Sequence, residues 1–264
     1  MSQPGPREEN GGHGTVNADG GARSPGLYVE RIAVRAGPRR IVDEVSFRAL
    51  PGEVTAVIGP NGAGKTSLLD AIVGLRSVES GAVHVDGKRL ASFRDHARTF
   101  SYLPDQGEVA TELTGRTLVR HALASATAEV PVAELRQLLE IAPLLDRGAA
   151  VLSRGERQRL LLFCTLLLGR RFVVLDEPFS AFDPLQLEKV QLAIRCVMAT
   201  GATILASIHQ LADAEQIAHR VLLLAEGRAL AFGTLAELKA EAGDQQTTLR
   251  DVFLVLLARR PRAA

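Results

Sequence analysis

Apolar and polar residues alternate through LYVERIAV (27–34) and VSFRAL (45–50), the period-two pattern of strands that bury one face. VTAVI (54–58) and FVVLD (172–176) are apolar nearly throughout, which suits parallel strands covered on both faces. AVHVDG (82–87), TFSYL (99–103), TILAS (203–207) and segments near 220–225 and 228–232 read as further strands, with a turn at Pro51-Gly52. Between them the period lengthens. TSLLDAIVGL supports a helix over 65–75, and others are expected over 185–199 and 210–218. SRGERQRLLLFCTLLLG starts with Ser153 in an N-cap position and continues with an apolar face. From 105 to about 155 the spacing is helical, in LVRHALASA and then, after Pro131, in VAELRQLLEIA, so a helical subdomain is expected there. Strands alternating with helices argue an α/β fold with a mainly parallel central sheet.

Composition narrows this further. With 264 residues and 46% of them apolar, the chain can bury a substantial core in one domain, assigned to 27–258. Residues 1–26 hold seven glycines and three prolines with scarcely an apolar side chain, so a disordered tail is expected, and 259–264 form a short C-terminal one. No apolar segment follows an N-terminal charge as a secretory signal would require. The balance of 31 basic and 30 acidic residues gives no electrostatic footprint for nucleic acid. Cys164 and Cys196 lie in apolar helical stretches, as reduced thiols of a cytosolic protein would. The longest apolar runs, 160–168 and 252–258, fall short of the roughly 20 residues a membrane span needs. Any membrane role therefore requires a partner.

The chemistry is concentrated in one run. Gly59-Pro60-Asn61-Gly62-Ala63-Gly64-Lys65-Thr66, followed by Ser67, comes directly after the buried strand 54–58 and fits the G-x-x-x-x-G-K-[ST] phosphate loop. In such a loop backbone N–H groups wrap a polyphosphate at a helix N-terminus, and glycines keep side chains out of the turn. Lys65 would supply charge to the β- and γ-phosphates and the Thr66 hydroxyl a Mg²⁺ position. Only four of the 31 basic residues are lysines, yet one stands here, where a compact ammonium suits the site better than a planar guanidinium.

VVLDEP (173–178) is the second strong pattern. Asp176 closes an apolar strand at the sheet edge where ligands of open α/β sheets bind, and would hold Mg²⁺ together with Thr66. Glu177 follows as a candidate general base for an attacking water.

With these motifs in place, the sequence resembles the nucleotide-binding subunit of an ABC (ATP-binding cassette) transporter over about 27–256. LSRGE (152–156) is similar to the family's LSGGQ signature, with Ser153 and Gly155 kept and Arg154 and Glu156 departing from it. The resemblance implies a P-loop ATPase fold with an antiparallel β subdomain and the inserted helical subdomain, ATP and Mg²⁺ as ligands, and a head-to-tail dimer. In that dimer Ser153 and Gly155 of one copy would reach the γ-phosphate held by the other. The negative Glu156 is expected to turn away or to pair with an arginine. SAFD (180–183) resembles the D-loop, with Asp183 helping to join the half-sites, and His209 takes the position of the switch histidine. YLPDQ stands where the family has YLPQ, so either Asp105 or Gln106 serves as the Q-loop residue. The usual adenine-stacking aromatic is missing from AVRAGPRR, which leaves Arg35, Arg39 or Arg40 for the base.

The Q-loop form, LSRGE followed by RQRL, and the ending TLRDVFLVLL resemble exporter-like cassettes whose membrane subunits are separate chains. The resemblance implies a polytopic membrane subunit docked on the inserted helices, and a peripheral location on the cytoplasmic face of the cell membrane. A non-transport ABC ATPase acting on ribosomes or nucleic acid is the alternative, but the second cassette, coiled coils and zinc modules expected of that class do not appear. The departures also leave room for a weakly active regulatory cassette. A kinase-like P-loop enzyme would leave LSRGE, Asp183 and His209 without a task.

Overall fold

A computed structural model describes residues 25–105, 107, 112–243 and 248–259. The expected tails and Gln106 fall largely or wholly outside this set. The first elements are β1 (Leu27–Ala36), β2 (Arg39–Ala49), β3 (Val54–Ile58), α1 (Lys65–Ile72), β4 (Ser80–Val85) and β5 (Lys88–Arg89). Next come α2 (Phe93–Thr99), β6 (Phe100–Leu103), α3 (Gly115–Ala124), α4 (Val132–Leu138), α5 (Arg154–Leu167) and β7 (Phe172–Asp176). The chain continues through α6 (Pro184–Met198), β8 (Thr203–Ser207), α7 (Leu211–Ile217), β9 (Arg220–Ala225), β10 (Arg228–Gly233), α8 (Leu235–Ala242) and α9 (Leu249–Ala258).

Two sheets result. The central one has the order β10-β9-β3-β8-β7-β6 and is parallel except for β10, which returns antiparallel on β9. The other, β2-β1-β4-β5, is antiparallel. Residues of the central strands divide between two cores with period two. Val173 and Leu175 of β7 join one core with helix residues such as Leu135, Phe163 and Val190, while Phe172 and Val174 join another with α1 and the antiparallel sheet. Both faces are thus covered, which is why these strands read as continuous apolar runs rather than alternating ones.

Most expected elements occur within a few residues of their reading, with informative exceptions. β2 begins at Arg39, six residues before the apolar alternation does. It is an edge strand, and its early part carries charge: Arg40 bonds Asp43 at 2.8 Å and Glu79 at 3.0 Å. α2 and α8 were not foreseen. Both are short helices started by capping boxes, Ser92 with Asp95 and Thr234 with Glu237. In the inserted region α3 and α4 fall on the two expected helical stretches, and two 3₁₀ turns not read from the sequence follow, Ala142–Leu144 and Ala149–Val151.

Candidate active site

The C-terminal ends of β3, β7 and β8 open onto one cleft of about 590 Å³. β3 delivers the phosphate loop. Gly64 ends it at φ 98° as the N-cap of α1, a left-handed conformation, and an added Cβ there would lie 2.6 Å from the Ile41 carbonyl oxygen. At Gly59 the constraint is close approach, since a Cβ would come within 2.1 Å of the Leu224 carbonyl oxygen on β9. Gly59 and Gly64 are therefore demanded by the protein's own backbone as well as by any phosphate. Asn61, Gly62, Ala63, Gly64, Lys65, Thr66 and Ser67 all line the cleft; Gly59 and Pro60 instead present carbonyls to Lys65.

Lys65 is buried at the start of α1. Its Nζ donates to the Gly59 carbonyl at 2.8 Å and lies 3.6 Å from Glu177 Oε1. The two patterns read separately in the sequence thus meet in one ion pair. Asp176 ends β7 opposite Ser207, the last residue of β8, and is 0% exposed. Ser207 Oγ donates to Asp176 Oδ1 at 2.5 Å and accepts from the Glu177 N–H at 2.8 Å. Asp176 Oδ2 has no hydrogen-bond partner. A buried carboxylate oxygen without a hydrogen bond is a ligand atom suited to a hard cation, although Asp176 is not itself among the residues that line the cleft. Among the described residues no group of three or more His, Cys, Asp or Glu forms a metal cage. A Mg²⁺ ion at Asp176 and Thr66 would take its other positions from phosphate and water, as this ion commonly does.

Glu177 holds a left-handed backbone, φ 49°, which turns the chain sharply at the strand end. Burial raises its carboxyl above the ordinary range; Lys65 and His209 oppose the rise, and Asp176 and Asp105 add to it. Asp105, just past β6, lines the cleft, as does the exposed His209 just past β8. Of the two Q-loop candidates, the described one faces the site; Gln106 lies outside the described residues.

Ser153 and Gly155 do not line this cleft. Ser153 is exposed and caps α5, its Oγ accepting from the Glu156 N–H at 3.3 Å. Glu156 returns a bond to the Ser153 N–H at 2.8 Å and pairs with Arg147 at 2.5 Å, so it turns to a neighbouring arginine as expected. The Ser153 N–H and then Arg147 hold its carboxyl down at about 2. Asp183 caps α6, accepting from the Gln186 N–H at 2.9 Å. The arginines suggested for the base do not reach the cleft: Arg35 and Arg40 are tied to Glu79, and the side chain lining that edge is Ile41. Ser207, like Ile41, is a residue that sequence reading missed. Its signal was a hydroxyl at the end of an otherwise apolar strand, informative only once β8 is known to neighbour β7.

A family model described as ABC transporter matches residues 42–180, more than half of the chain. The chain belongs to the ABC transporter family. It is 33% identical over 224 residues to the hemin import ATP-binding protein HmuV of Rhodococcus jostii, covering 81% of this chain and 77% of that one. It is 30% identical to the ABC-type transporter ATP-binding protein EcsA of Bacillus subtilis, over 82% of this chain and 90% of the relative. The lipopolysaccharide export system ATP-binding protein LptB of Escherichia coli is 28% identical, with 86% and 98% covered. A solved ATP-binding subunit of an ABC transporter superposes with a TM-score of 0.80 at 30% identity, covering 88% of this chain and 99% of that one. This chain is accordingly an ATP-binding, ATP-hydrolysing subunit of the ABC type, with the α/β cassette fold.

Proposed function

We propose that two copies of this chain, or this chain and a homologous one, close head to tail on ATP, and that the closure drives solute transport, in the export direction, through a separate polytopic membrane subunit. The supporting observation is the position of Ser153: it sits exposed at the N-terminus of α5, outside its own cleft and available to a second copy. Among the described residues no helix is long and apolar enough to cross a membrane, so a transport role needs another chain. Export is favoured by the Q-loop form and the α9 sequence, both exporter-like, although the relatives include an import and an export protein by name.

In this reading the phosphate loop and Lys65 hold the phosphates, and Asp176 and Thr66 hold Mg²⁺, which would offset phosphate charge. Glu177 accepts the proton of the attacking water, with its carboxylate set by Lys65 and its backbone pinned by Ser207. His209 contacts the γ-phosphate, Asp105 or Gln106 links the metal and the attacking water to the membrane subunit, and Asp183 joins the half-sites. The chain would lie on the cytoplasmic face of the cell membrane, held there by its partner.

Replacing Glu177 by Gln tests the assignment. ATP should still bind, hydrolysis should drop by about 10²–10⁴-fold, and sedimentation should show an ATP-dependent dimer. Hydrolysis at the parental rate would remove Glu177 from its role, and a monomer at saturating ATP would remove the dimer. Fractionation with ribosomes or DNA rather than with membranes would remove transport.

A further inference from the structure

Tyr102 is the second-last residue of β6, the strand at the edge of the central sheet beside β7. Its hydroxyl donates to Asp70 Oδ1 at 3.0 Å. Asp70 lies on α1, the helix that opens with Lys65 and Thr66. It is fixed in turn at the end of that helix. Its carbonyl accepts from the Leu75 and Arg76 N–H groups at 2.8 and 3.2 Å, and its Oδ2 stands 3.8 Å from Arg76 Nε. Burial first, and then the charges of Asp176, Asp70 and Asp105, push the ionisation of Tyr102 above its ordinary range, so the hydroxyl remains a donor.

Packing alone does not call for this pair. The ring rests on the core shared by α1 and the antiparallel sheet, where phenylalanine would fill the space with no hydroxyl to satisfy. What the bond adds is a tie between two walls of the cleft. α1 brings Lys65 and Thr66 to it, and β6 runs through Pro104 into Asp105, which also lines it. The two ends of the tie are not equally firm. α1 buries Leu68, Leu69 and Ile72 completely, whereas β6 is held at the sheet edge by its ladder to β7, Tyr102 beside Val174 and Leu103 beside Leu175. Loss of the bond therefore frees the end of β6, and Asp105 with it, before it disturbs α1.

We propose that Tyr102 and Asp70 are a positioning pair for ATP hydrolysis, whose bond holds Asp105 in place relative to the phosphate-loop helix. Neither residue lines the cleft, and both act through Asp105. The inference rests on the role proposed above for Asp105.

The test is steady-state ATP hydrolysis by the purified chain, at concentrations where turnover per chain has levelled off. Tyr102→Phe keeps the ring and deletes the donor. Its kcat should fall by about tenfold with KM for ATP unchanged, because the displaced group serves the chemical step while α1 keeps its place. Asp70→Ala should fall as far and the double variant no further, whereas Asp70→Asn, which keeps an acceptor oxygen, should recover most of the rate. In an Asp105→Ala background Tyr102→Phe should cost nothing more. A bond that served only the fold would lower the melting temperature without this pattern of rates. Parental kcat in Tyr102→Phe, a loss carried by KM, or an undiminished loss in the Asp105→Ala background would overturn the inference. Hydrolysis by Asp105→Ala at the parental rate would instead remove the role given to Asp105, and this inference with it; parental kcat in Tyr102→Phe leaves that role standing.

Discussion

Asp176 keeps one buried oxygen without a partner and gives the other to Ser207. Ser207→Ala removes that donor and frees the Glu177 N–H together, so unfolding should cost about 1–3 kcal/mol less, read by denaturant titration. The titration of Glu177 carries a second prediction. As the proposed base it must be ionised, and its carboxyl lies above its ordinary value of 4.5, so hydrolysis should fall as pH drops through that raised value. Asp105 is one of the charges that hold it up. Asp105→Asn should therefore shift the acid limb of the pH–rate profile to lower pH; a shift to higher pH would contradict the placement of Asp105 beside Glu177. The phosphate loop and Asp176-Glu177 were legible in the sequence because each is a contiguous run with its own chemistry. Ser207 and Ile41 were not, because their part depends on which strands are neighbours.

At the scale of elements, the apolar strands were readable because burial on both faces leaves few positions for polar residues. The first half of β2 was hidden for the opposite reason: an edge strand keeps charge, and Arg39 and Arg40 broke the alternation. Short capped helices such as α2, with no buried residue of its own, leave no periodic trace at all. The start of α5 is held differently, by reciprocal bonds between Ser153 and Glu156 and by the Arg147 pair. Glu156 has its carboxyl lowered to about 2 from an ordinary 4.5, so its contribution is complete above 4.5 and is lost as pH falls toward 2. The protection factor for hydrogen exchange at the first turn of α5, taken against the intrinsic rate at each pH, should fall over that window, and the fall should vanish in Glu156→Gln. An unchanged acid response in that variant would mean the cap does not govern this helix end.

For the whole molecule, the central sheet brings the ends of β3, β7 and β8 to one cleft, while Ser153 at the start of α5 is exposed and does not line it. The proposed head-to-tail pair rests on Ser153 lying outside its own chain's cleft. Mixing two inactive variants measures this most directly. Lys65→Ala lacks the phosphate-holding half, and Ser153→Arg blocks the half offered to a neighbour. Each alone should hydrolyse ATP at background rate, and an equal mixture should regain about a quarter of the parental activity, because half of the pairs rebuild one intact site. A mixture that stays at background, with both variants folded and dimerising, would contradict a site shared between copies.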